Sequence, residues 1–533
     1  MQCRTAAAVL TTIPASLASA AAEESTELVF HLEDGVQRLG AVELCERVQS
    51  AASWLRERGV GRGSRVGLLG PNRPEWAVWA YATWWIGAAL VPIQVPVRVR
   101  DPQAFQERVQ WTSMASGCDV VMCSPALLAS SPPDLSHSWV EPTTRPAKFA
   151  SDARLDDIAV IQYTSGSTAE PKGVVLDHAR VMAQFDQLAK GERPLTHRGE
   201  VAGGWVPFFH DLGLFGFLLA PVVNRYQAVH LLPTETFAGD PSLWLELMAA
   251  QHVTFADAPQ SAWTAALVAS QRRGRHVDLS SLECAVYGAE GLDVQAVTEM
   301  LELCPSIGLS PDALMATYGL AEAVLGVTAT PRGAGLRFDD LRDGSGRSHR
   351  FVSCGPPLPD TRVRIVVEGR EVGDGQVGEI QVAGPCVMSG YLDPATPNAV
   401  HDGWLSTGDL GYLRGGELMV TGRIKDVVIV MGQNYYPEDL EWAAARVPGT
   451  KPGRCAAFVD DERAVLLVEA SDDSPDLAKR VKYAVADAVG LSGLEVNVVP
   501  AGTVEKTTSG KLRRSTMREL YRRGELAIES SAG

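Results

Sequence analysis

A loop rich in hydroxyl groups, "YTSGSTAEPKGVV" at residues 163–175, is the stretch of this sequence with the most distinctive chemistry. Four hydroxyl side chains lie within five residues of one another: Thr164, Ser165, Ser167 and Thr168. Gly166 lets the backbone approach a ligand closely, Lys172 can place a cation on a phosphate, and backbone N–H groups in such turns hold anions. The loop therefore predicts phosphate binding. The alternative is a hairpin turn with an exposed lysine.

The loop differs from a Walker loop, which runs from its Lys into a helix. Here Lys172 is followed by Gly173, Val174 and Val175, which is how a strand begins. The elements that position the loop are therefore two strands, one at about 159–163 and one that starts at the lysine.

Composition limits the classes of protein to which the chain can belong. The 533 residues carry 64 acidic and 48 basic side chains, a net charge of −16, which argues against a nucleic-acid binder. The nine cysteines are an odd number and form no C-x-x-C pair, so a disulfide framework and the common zinc spacings are excluded. We expect a cytoplasmic protein, since a reducing compartment fits free thiols best.

Two apolar segments admit more than one interpretation. The N-terminal "MQCRTAAAVLTTIPASLASAAAEES" predicts an amphipathic helix, with a secretory signal as the alternative. Residues 76–97 are almost long enough to cross a bilayer, but Gly87 and Pro92 interrupt them. We therefore expect no membrane span there, but a buried helix at about 75–86 and a strand at about 90–93.

Apolar β-branched runs alternate with helical patterns through the first 330 residues, which predicts an α/β fold with mostly parallel sheets. Strands are expected at 66–69, 120–123, 159–163, 228–232, 253–256 and 284–287. Short strands between Gly-rich turns predict a β subdomain from about 351, and a small α+β unit follows about 425. The polar, Gly-rich stretch 332–350 is expected to be a loop.

Seven stretches in the same order resemble the adenylate-forming superfamily, which includes acyl-CoA synthetases, adenylation domains of peptide synthetases and luciferases. Besides the opening loop they are "VPFFHDLG" (206–213), "YGAEGL" (287–292), "TYGLAEA" (317–323), "WLSTGDLG" (404–411), "TGRIKDVVIVMGQNYYPEDLE" (421–441) and "EKTTSGKLRRS" (505–515). The resemblance covers essentially the whole chain. It implies a large domain of two α/β subdomains plus a β subdomain (1–422) and a small mobile α+β domain (423–533).

The resemblance implies an enzyme that uses ATP and Mg²⁺. Adenine is expected along Gly288, Ala289 and Glu290, next to Tyr318 and Gly319. Asp409 would accept hydrogen bonds from ribose hydroxyls, Arg423 would reach the ribose or a phosphate, and Glu322 would hold Mg²⁺. A turn-capping Asp409 and a core Tyr318 are the alternatives.

In this superfamily the lysine of "TSGK", here Lys511, swings in from the small domain and contacts both the acid oxygen and the α-phosphate. A cation placed where charge develops favours the transition state. Lys425 would be the hinge between the domains, with a plain surface lysine as the alternative. The basic helix after Lys511, with Arg513, Arg514 and Arg518, could meet an acyl carrier protein or be a solvated face.

Several stretches are similar to the fatty acyl-AMP ligase branch, which passes the acyl group to a carrier-protein thiol. In that branch His210 lies near the acyl end, although a core histidine is the alternative. Where relatives carry small residues this chain has Phe215 and Phe217, and Trp263 stands in "FADAPQSAW". Together with Phe209 these rings predict a crowded pocket and a compact acid, aromatic or amino-substituted.

Three other functions remain open at this point. A ligase-like enzyme could adenylate nitrite in order to diazotise an amine, and its nucleotide motifs would be identical. A true fatty acyl-AMP ligase is the second alternative. A non-catalytic nucleotide-binding homologue is the third, but it predicts the loss of Lys511, Glu322 or Asp409, all of which are present.

Overall fold

The fold was examined in a computed structural model of the chain. It describes residues 11–532 except for 97–100, 140–148, 165–170, 343–347, 427, 431–432, 461–462, 472–475, 492 and 507–511. Ser165, Gly166, Ser167, Thr168 and Lys511 therefore lie outside the described residues.

The first large sheet has eight strands, and all but its two edge pairings are parallel. Its central strands carry mostly apolar and small residues, as a sheet covered on both faces requires. In spatial order the strands are Gly326–Ala329, Leu314–Gly319, Cys284–Tyr287, Phe255–Ala258, Val201–Gly204, Ala228–Leu231, Glu27–Leu32 and Gly35–Gly40.

The second large sheet has seven strands, and the strands on either side of the opening loop form an antiparallel pair within it. Thr164 lies opposite Lys172 in that pair, so the two-strand prediction is confirmed. In spatial order the strands are Gly390–Tyr391, Lys172–Asp177, Ile158–Thr164, Ala89–Ile93, Arg65–Leu69, Val120–Cys123 and Ser136–Ser138.

Alternate residues of these strands supply two different cores, because successive side chains point to opposite faces of a sheet. Val120 and Met122 enter the large core between the sheets, whereas Val121 and Cys123 face the helix Pro102–Ala115 on the outside. The large core also contains the helices Ile13–Ala22, Ala41–Glu57, Pro74–Trp85 and His178–Leu188. A further core packs Ser242–Ala250, Gln260–Arg272 and Val294–Leu303 against the eight-stranded sheet.

The apolar segment at 76–97 forms the buried helix Pro74–Trp85 and the strand Ala89–Ile93, as the sequence predicted. Every residue of that helix except Glu75 is buried. Gly87 lies between this helix and this strand and adopts a left-handed backbone conformation, with φ +72°. None of the helices in the described part of the chain has both the length and the apolar character that a bilayer crossing needs.

The N-terminal helix Ile13–Ala22 is amphipathic and starts at Thr12, whose side chain accepts a hydrogen bond from Ala15 N. Ile13, Leu17 and Ala20 follow helical spacing and are 0% exposed in the large core. This helix is therefore an integral part of the folded domain.

A six-stranded antiparallel sheet follows at 362–423, made of Arg370–Glu371, Arg362–Val367, Gly378–Ala383, Trp404–Arg414, Val400–His401 and Glu417–Arg423. The stretch expected to be a loop contains instead a hairpin of Phe338–Arg342 and Ser348–Val352. Asp340 and Arg350 lie opposite each other in this hairpin, and the carboxylate accepts at 2.8 Å from Arg350 Nε. Such a cross-strand ion pair stabilises a sheet that has few apolar side chains.

The C-terminal unit has the hairpin Val428–Val430 and Gln433–Tyr435 and a four-stranded sheet of Thr450–Asp460, Arg463–Ala470, Leu494–Val499 and Ser530–Ala532. Its helices are Pro437–Ala445, Leu477–Val489 and Arg514–Arg522. In the described part of the chain, the other α-helices are Ala220–Val223 and Thr234–Gly239. Leu212–Leu219 is a π-helix, and Pro125–Ser130, Cys304–Ile307, Pro311–Ala313 and Ala321–Ala323 are short 3₁₀ helices.

Candidate active site

A cavity of about 1560 Å³ lies where the carboxyl ends of the large sheets, the β subdomain and the C-terminal unit meet. Parallel sheets commonly bind ligands at the carboxyl ends of their strands. Fourteen residues singled out from the sequence line this cavity: Thr164, Lys172, His210, Gly288, Ala289, Glu290, Tyr318, Gly319, Glu322, Asp409, Arg423, Lys425, Arg513 and Arg514.

Asp409 is held at both of its carboxylate oxygens. Tyr318 Oη donates to Oδ2 at 2.7 Å, and Arg423 Nε lies 3.0 Å from Oδ1. Asp409 and Arg423 face each other on neighbouring antiparallel strands, which fixes their pairing. The charge of Asp409 raises the pKa of Arg423, and burial raises that of Tyr318. The result is a fixed anionic acceptor, 7% exposed, in the cavity wall.

Glu322 and Lys172 meet at Tyr391, a residue that the sequence analysis missed. Tyr391 Oη donates to Glu322 Oε1 at 3.2 Å, and Lys172 Nζ lies 4.9 Å from the centre of its ring. Burial raises the pKa of Glu322. Tyr391 reaches this position because its short strand pairs with Val174 and Val175, a long-range pairing that no local pattern reveals.

The turn after the strand Cys284–Tyr287 forms a flat part of the wall. A side chain at Gly288 would come within 2.7 Å of Thr317 Oγ1, so only glycine fits there. Ala289 adopts φ +65°, a left-handed conformation that is strained for alanine. Glu290 accepts hydrogen bonds from Ser261, at 2.6 Å from its N and 3.2 Å from its Oγ.

His210 and Asp211 stand at the entrance to the π-helix Leu212–Leu219, with His210 Nδ1 at 2.6 Å from Asp211 Oδ1. The turn is fixed from the neighbouring sheet, because Gln162 Nε2 donates to Phe209 O at 2.9 Å. Gly213 lies against the same turn, where a Cβ would be 2.0 Å from Pro207 O. π-Helical segments are rare, and they occur often at functional sites.

The predicted aromatic plug was wrong. Phe215 and Phe217 are 0% exposed and Trp263 is 1% exposed, all within hydrophobic cores, and neither these rings nor Phe209 line the cavity. The π-helix turns Gly216 to the cavity between the two buried phenylalanines. The indole of Trp263 instead donates to Val286 O at 3.1 Å.

The aromatic wall of the cavity is formed by a different pair, Trp205 and Phe237. Their rings stack at 3.7 Å with an interplanar angle of 3°. Trp205 follows the strand Val201–Gly204, and Phe237 comes from the helix Thr234–Gly239. Because the expected rings are withdrawn into the cores, the reason for expecting a compact acid no longer holds.

Asp257 is a second wall residue that the sequence analysis did not single out. It lies on the strand Phe255–Ala258, and its Oδ1 is buried with no hydrogen-bond partner in the described part of the chain. Burial and the neighbouring Asp211 raise the pKa of Asp257 to about 8. The signal that could have revealed it is a lone carboxylate inside the apolar run "FADAP".

Lys425 is exposed at the cavity edge, and the adjacent Asp426 is tied to the C-terminal helix. Arg514 contacts Asp426 Oδ2 at 3.1 Å and Glu438 Oε1 at 2.8 Å. It also donates in bidentate geometry to Glu441, with both distances 2.7 Å. Arg514 is therefore an internal structural residue, which corrects its expected place on a carrier-binding face.

Comparisons with known proteins place the chain in a family. The family model described as AMP-binding enzyme matches residues 17–392. The Mycobacterium tuberculosis protein Rv1013, named only as a ligase, is 33% identical over 511 residues, covering 89% of this chain and 93% of that protein. The medium-chain-fatty-acid–acyl-carrier-protein ligase JamA of Moorena producens is 30% identical over 547 residues, covering 93% of this chain and 91% of JamA.

A solved structure from a study of fatty acyl-adenylate ligases from E. coli and L. pneumophila superposes with a TM-score of 0.88 at 28% identity. The match covers 96% of this chain and 98% of that chain. The structural match therefore extends over both the large and the small unit, as the sequence matches do. This chain belongs to the AMP-binding enzyme family of adenylate-forming proteins, resembles most its fatty acyl-AMP ligase branch, and is an ATP-dependent, AMP-forming acid ligase.

Proposed function

We propose that the enzyme binds ATP with Mg²⁺, adenylates a carboxylic acid at His210, and passes the acyl group to the thiol of a carrier protein. The observation that carries this proposal is the carboxylate of Asp409, held at both oxygens in the cavity that His210 and Lys172 also line. A fixed acceptor of this kind suits two vicinal ribose hydroxyls. The ribose would anchor the nucleotide between the acid site and the phosphate loop.

The remaining parts of the nucleotide follow from the positions around Asp409. The flat turn 288–290 would receive the adenine base, because Gly288 leaves no side chain above it. The triphosphate would extend toward Thr164 and Lys172, where the hydroxyl-rich loop begins. Since its β- and γ-phosphates leave as pyrophosphate, a clamp between two strands can release them without a helix dipole.

Glu322 fits the role of the Mg²⁺ ligand. Among the described residues no group of three or more His, Cys, Asp or Glu side chains is placed to hold a metal, so an all-protein cage is absent there. Mg²⁺ usually takes one or two carboxylates and obtains its other ligands from phosphates and water. When bound, the ion would neutralise charge on the phosphate oxygens. Tyr391 would orient the Glu322 carboxylate through its 3.2 Å hydrogen bond.

The chemical step requires a cation at the α-phosphate, and we assign it to Lys511. The acid oxygen attacks the α-phosphorus, the bond to pyrophosphate breaks, and the acyl-adenylate forms. Residues 423–533 would then rotate about Lys425 so that a thiol can attack the acyl carbon and displace AMP. His210, held by its 2.6 Å contact with Asp211, would shape the pocket and shield the reacting carboxylate.

A carrier-protein thiol is the acceptor that the relatives favour. JamA is named for transfer of a medium-chain fatty acid to an acyl carrier protein, and this chain covers 91% of its length. The withdrawal of Phe215 and Phe217 from the cavity leaves a fatty acid as a possible substrate. Of the basic residues considered from the sequence, Arg518 on the helix Arg514–Arg522 is a candidate for contact with an acidic carrier, whereas Arg513 precedes the helix, pairs with Glu505 at 2.6 Å and lines the cavity.

The test is a substrate screen that measures pyrophosphate release from ATP. Fatty, aromatic and amino acids are each supplied alone, then with coenzyme A, with a phosphopantetheinylated carrier protein, or with nitrite plus an aryl amine. Acid-dependent release, followed by thioester formation on the carrier, supports the proposal. Release that requires nitrite and no carboxylic acid would replace it with oxyanion activation for diazotisation.

A further inference from the structure

An ion pair joins the C-terminal unit to the end of the turn proposed for adenine. Arg446 Nη2 donates to both carboxylate oxygens of Asp293, at 2.5 Å to Oδ1 and 2.7 Å to Oδ2. Asp293 belongs to the large unit, and Arg446 belongs to the unit that carries Lys511. No step of the proposed adenylation involves either residue, so the pair needs an explanation of its own.

The carboxylate of Asp293 is held in place by the large unit itself. Its backbone N donates to Gln260 Oε1 at 2.8 Å, and its backbone O accepts from Gln260 Nε2 at 3.1 Å. Its side chain caps the helix Val294–Leu303, where Oδ1 accepts from Gln295 N at 3.0 Å. A carboxylate that is already oriented loses little conformational entropy when a cation binds it. Asp293 is therefore a fixed anchor for Arg446.

Arg446 stands at the end of a helix that is tied to the segment after Lys511. It is the C-cap residue of the helix Pro437–Ala445, where the helix dipole also favours a cation. The same helix carries Glu438 and Glu441, which Arg514 contacts at 2.8 Å and 2.7 Å. One end of the helix is thus bound to Asp293, and its body is bound to Arg514.

Arg514 lies only three residues after Lys511, so the chain between them spans at most about 11 Å. Lys506 and Leu512 form an antiparallel bridge, which brings together the residues on either side of 507–511. The position of the helix Pro437–Ala445 therefore limits where Lys511 can lie. Through Arg446, that position is set by the large unit.

The helix also lies directly against the turn 288–293. A Cβ at Gly291 would be 3.7 Å from Glu438 Cγ and 3.9 Å from Trp442 Cζ2. Asp293, Glu438 and Trp442 all line the cavity. The turn that would receive adenine is therefore also the surface on which the C-terminal unit lies.

We propose that Asp293 and Arg446 are positioning residues for adenylation. Their ion pair docks the C-terminal unit on the adenine turn, with Lys511 directed at the α-phosphate, and it breaks when that unit rotates for acyl transfer. The proposal rests on the proposed function, in which Lys511 drives adenylation. The side chains of Arg446 and Asp293 are 38% and 19% exposed, and a partly exposed pair separates at low cost, as a reversible contact requires.

The two half-reactions test this role in Arg446→Gln and Asp293→Asn; asparagine keeps the helix cap and removes the charge. We expect kcat of acid-dependent ATP–pyrophosphate exchange to fall by about 10- to 100-fold, because Lys511 is misplaced, with the Kd for ATP unchanged. Transfer from added acyl-adenylate to the thiol should keep its rate. Arg463→Ala, which removes a 3.8 Å pair within the C-terminal unit, is the matched control. Equal losses in both half-reactions, or none, would overturn the proposal.

Combined and conservative variants show whether the two residues act as a pair. Arg446→Lys keeps a cation and should recover part of the exchange rate that Arg446→Gln loses. The double variant Asp293→Asn/Arg446→Gln should be no slower than the slower single variant, because each change alone already breaks the contact. Losses that multiply in the double variant would refute a shared role.

The orientation of the C-terminal unit gives a measurement that does not depend on activity. Spin labels are placed at Val36→Cys and Tyr483→Cys, both exposed, one in each unit, with Cys3 replaced by serine. With a non-hydrolysable ATP analogue, electron–electron resonance should give one main distance in the otherwise wild-type protein and a broad distribution in Arg446→Gln. An unchanged distribution would overturn the proposal. Broadening in a protein that shows no acid-dependent exchange would uphold the docking role and refute the proposed function.

Discussion

Tyr318 Oη donates a 2.7 Å hydrogen bond to Asp409 Oδ2, and this bond joins the central parallel sheet to the β subdomain across the cavity. Burial raises the pKa of the Tyr318 phenol, so it remains a donor at every physiological pH. Arg423 holds the other carboxylate oxygen at 3.0 Å. The orientation of the proposed ribose acceptor therefore depends on both a sheet strand and a β-subdomain strand.

Removal of that phenol should weaken nucleotide binding. In Tyr318→Phe the Asp409 carboxylate loses its charge-assisted partner, and we expect the Kd for a non-hydrolysable ATP analogue to rise by about tenfold. Tyr412→Phe is the matched control, since Tyr412 Oη makes a 2.9 Å bond to Asp339 away from the cavity wall. Calorimetry that gives the same Kd for Tyr318→Phe, Tyr412→Phe and wild type would contradict the proposed ribose site.

Two glycines of the π-helix should respond in opposite ways to an added methyl group. A Cβ at Gly213 would lie 2.0 Å from the backbone oxygen of Pro207, whereas a Cβ at Gly216 would meet only the end of Leu212, at 3.2 Å. Gly213→Ala should therefore lower Tm by several degrees, while Gly216→Ala should unfold near the wild-type temperature. Differential scanning fluorimetry measures the Tm of both variants. Equal Tm values for Gly213→Ala and Gly216→Ala would show that the backbone at Pro207 moves to accommodate the added methyl group without a loss of stability.

Gly216 also controls the space for the substrate, because it faces the cavity between two buried phenylalanines. Gly216→Leu should move the optimum in an acid chain-length series toward shorter acids, with the ATP KM unchanged. The series is measured by pyrophosphate release. An unaltered optimum would mean that the acyl chain does not pass this wall.

Arg514 should be needed for a stable C-terminal unit. It pairs with carboxylates of Asp426, Glu438 and Glu441, and its side chain is only 15% exposed. Breaking such a buried network by removing one partner costs about 3–5 kcal/mol, because the remaining charges are left unpaired. Arg514→Ala should thus lower Tm and increase protease cleavage after residue 426, unlike Arg523→Ala on the exposed face. Identical cleavage of the two variants would refute this structural role.

Asp257 should make the protein less stable as pH rises. Its pKa is about 8 in the folded protein against an ordinary value of 3.8, so the unfolded chain releases this proton first. The contribution of Asp257 to the free energy of unfolding is complete below about pH 4. It declines by about 1.4 kcal/mol per pH unit up to pH 8. The Tm of Asp257→Asn should therefore exceed that of wild type by an amount that grows between pH 5 and 8. A constant difference would show that Asp257 is already ionised when folded.

The sequence was a good guide wherever local pattern decides the structure. The buried helix Pro74–Trp85 and the strands Val120–Cys123 and Cys284–Tyr287 follow directly from apolar runs and their glycine or proline boundaries. Tyr318 lies on the cavity because it stands near the end of the strand Leu314–Gly319, and the ends of parallel strands meet at one edge of a sheet. Asp409 lies within the strand Trp404–Arg414 of another sheet, and its motif, not its place in a strand, identified it.

The local sequence pattern did not predict the direction in which several side chains point. Phe215 and Phe217 belong to a π-helix, whose wider turn rotates side chains away from the positions that a 3.6-residue period would give them. Asp257 has an ordinary neighbourhood in sequence, and its pKa is raised only because the fold buries it and brings the charge of Asp211 near from a distant segment. The strands Phe338–Arg342 and Ser348–Val352 pair with Asp340 opposite Arg350, and composition alone does not reveal this pairing.

The central claim, that a lysine from the C-terminal unit drives adenylation of a carboxylic acid, is tested most directly by acid-dependent ATP–pyrophosphate exchange in wild type and Lys511→Ala. With the best acid from the screen, we predict exchange in wild type and a loss of about 10²–10³ in Lys511→Ala, with ATP binding retained. Unimpaired exchange in Lys511→Ala, or none in wild type with any acid, would contradict the claim.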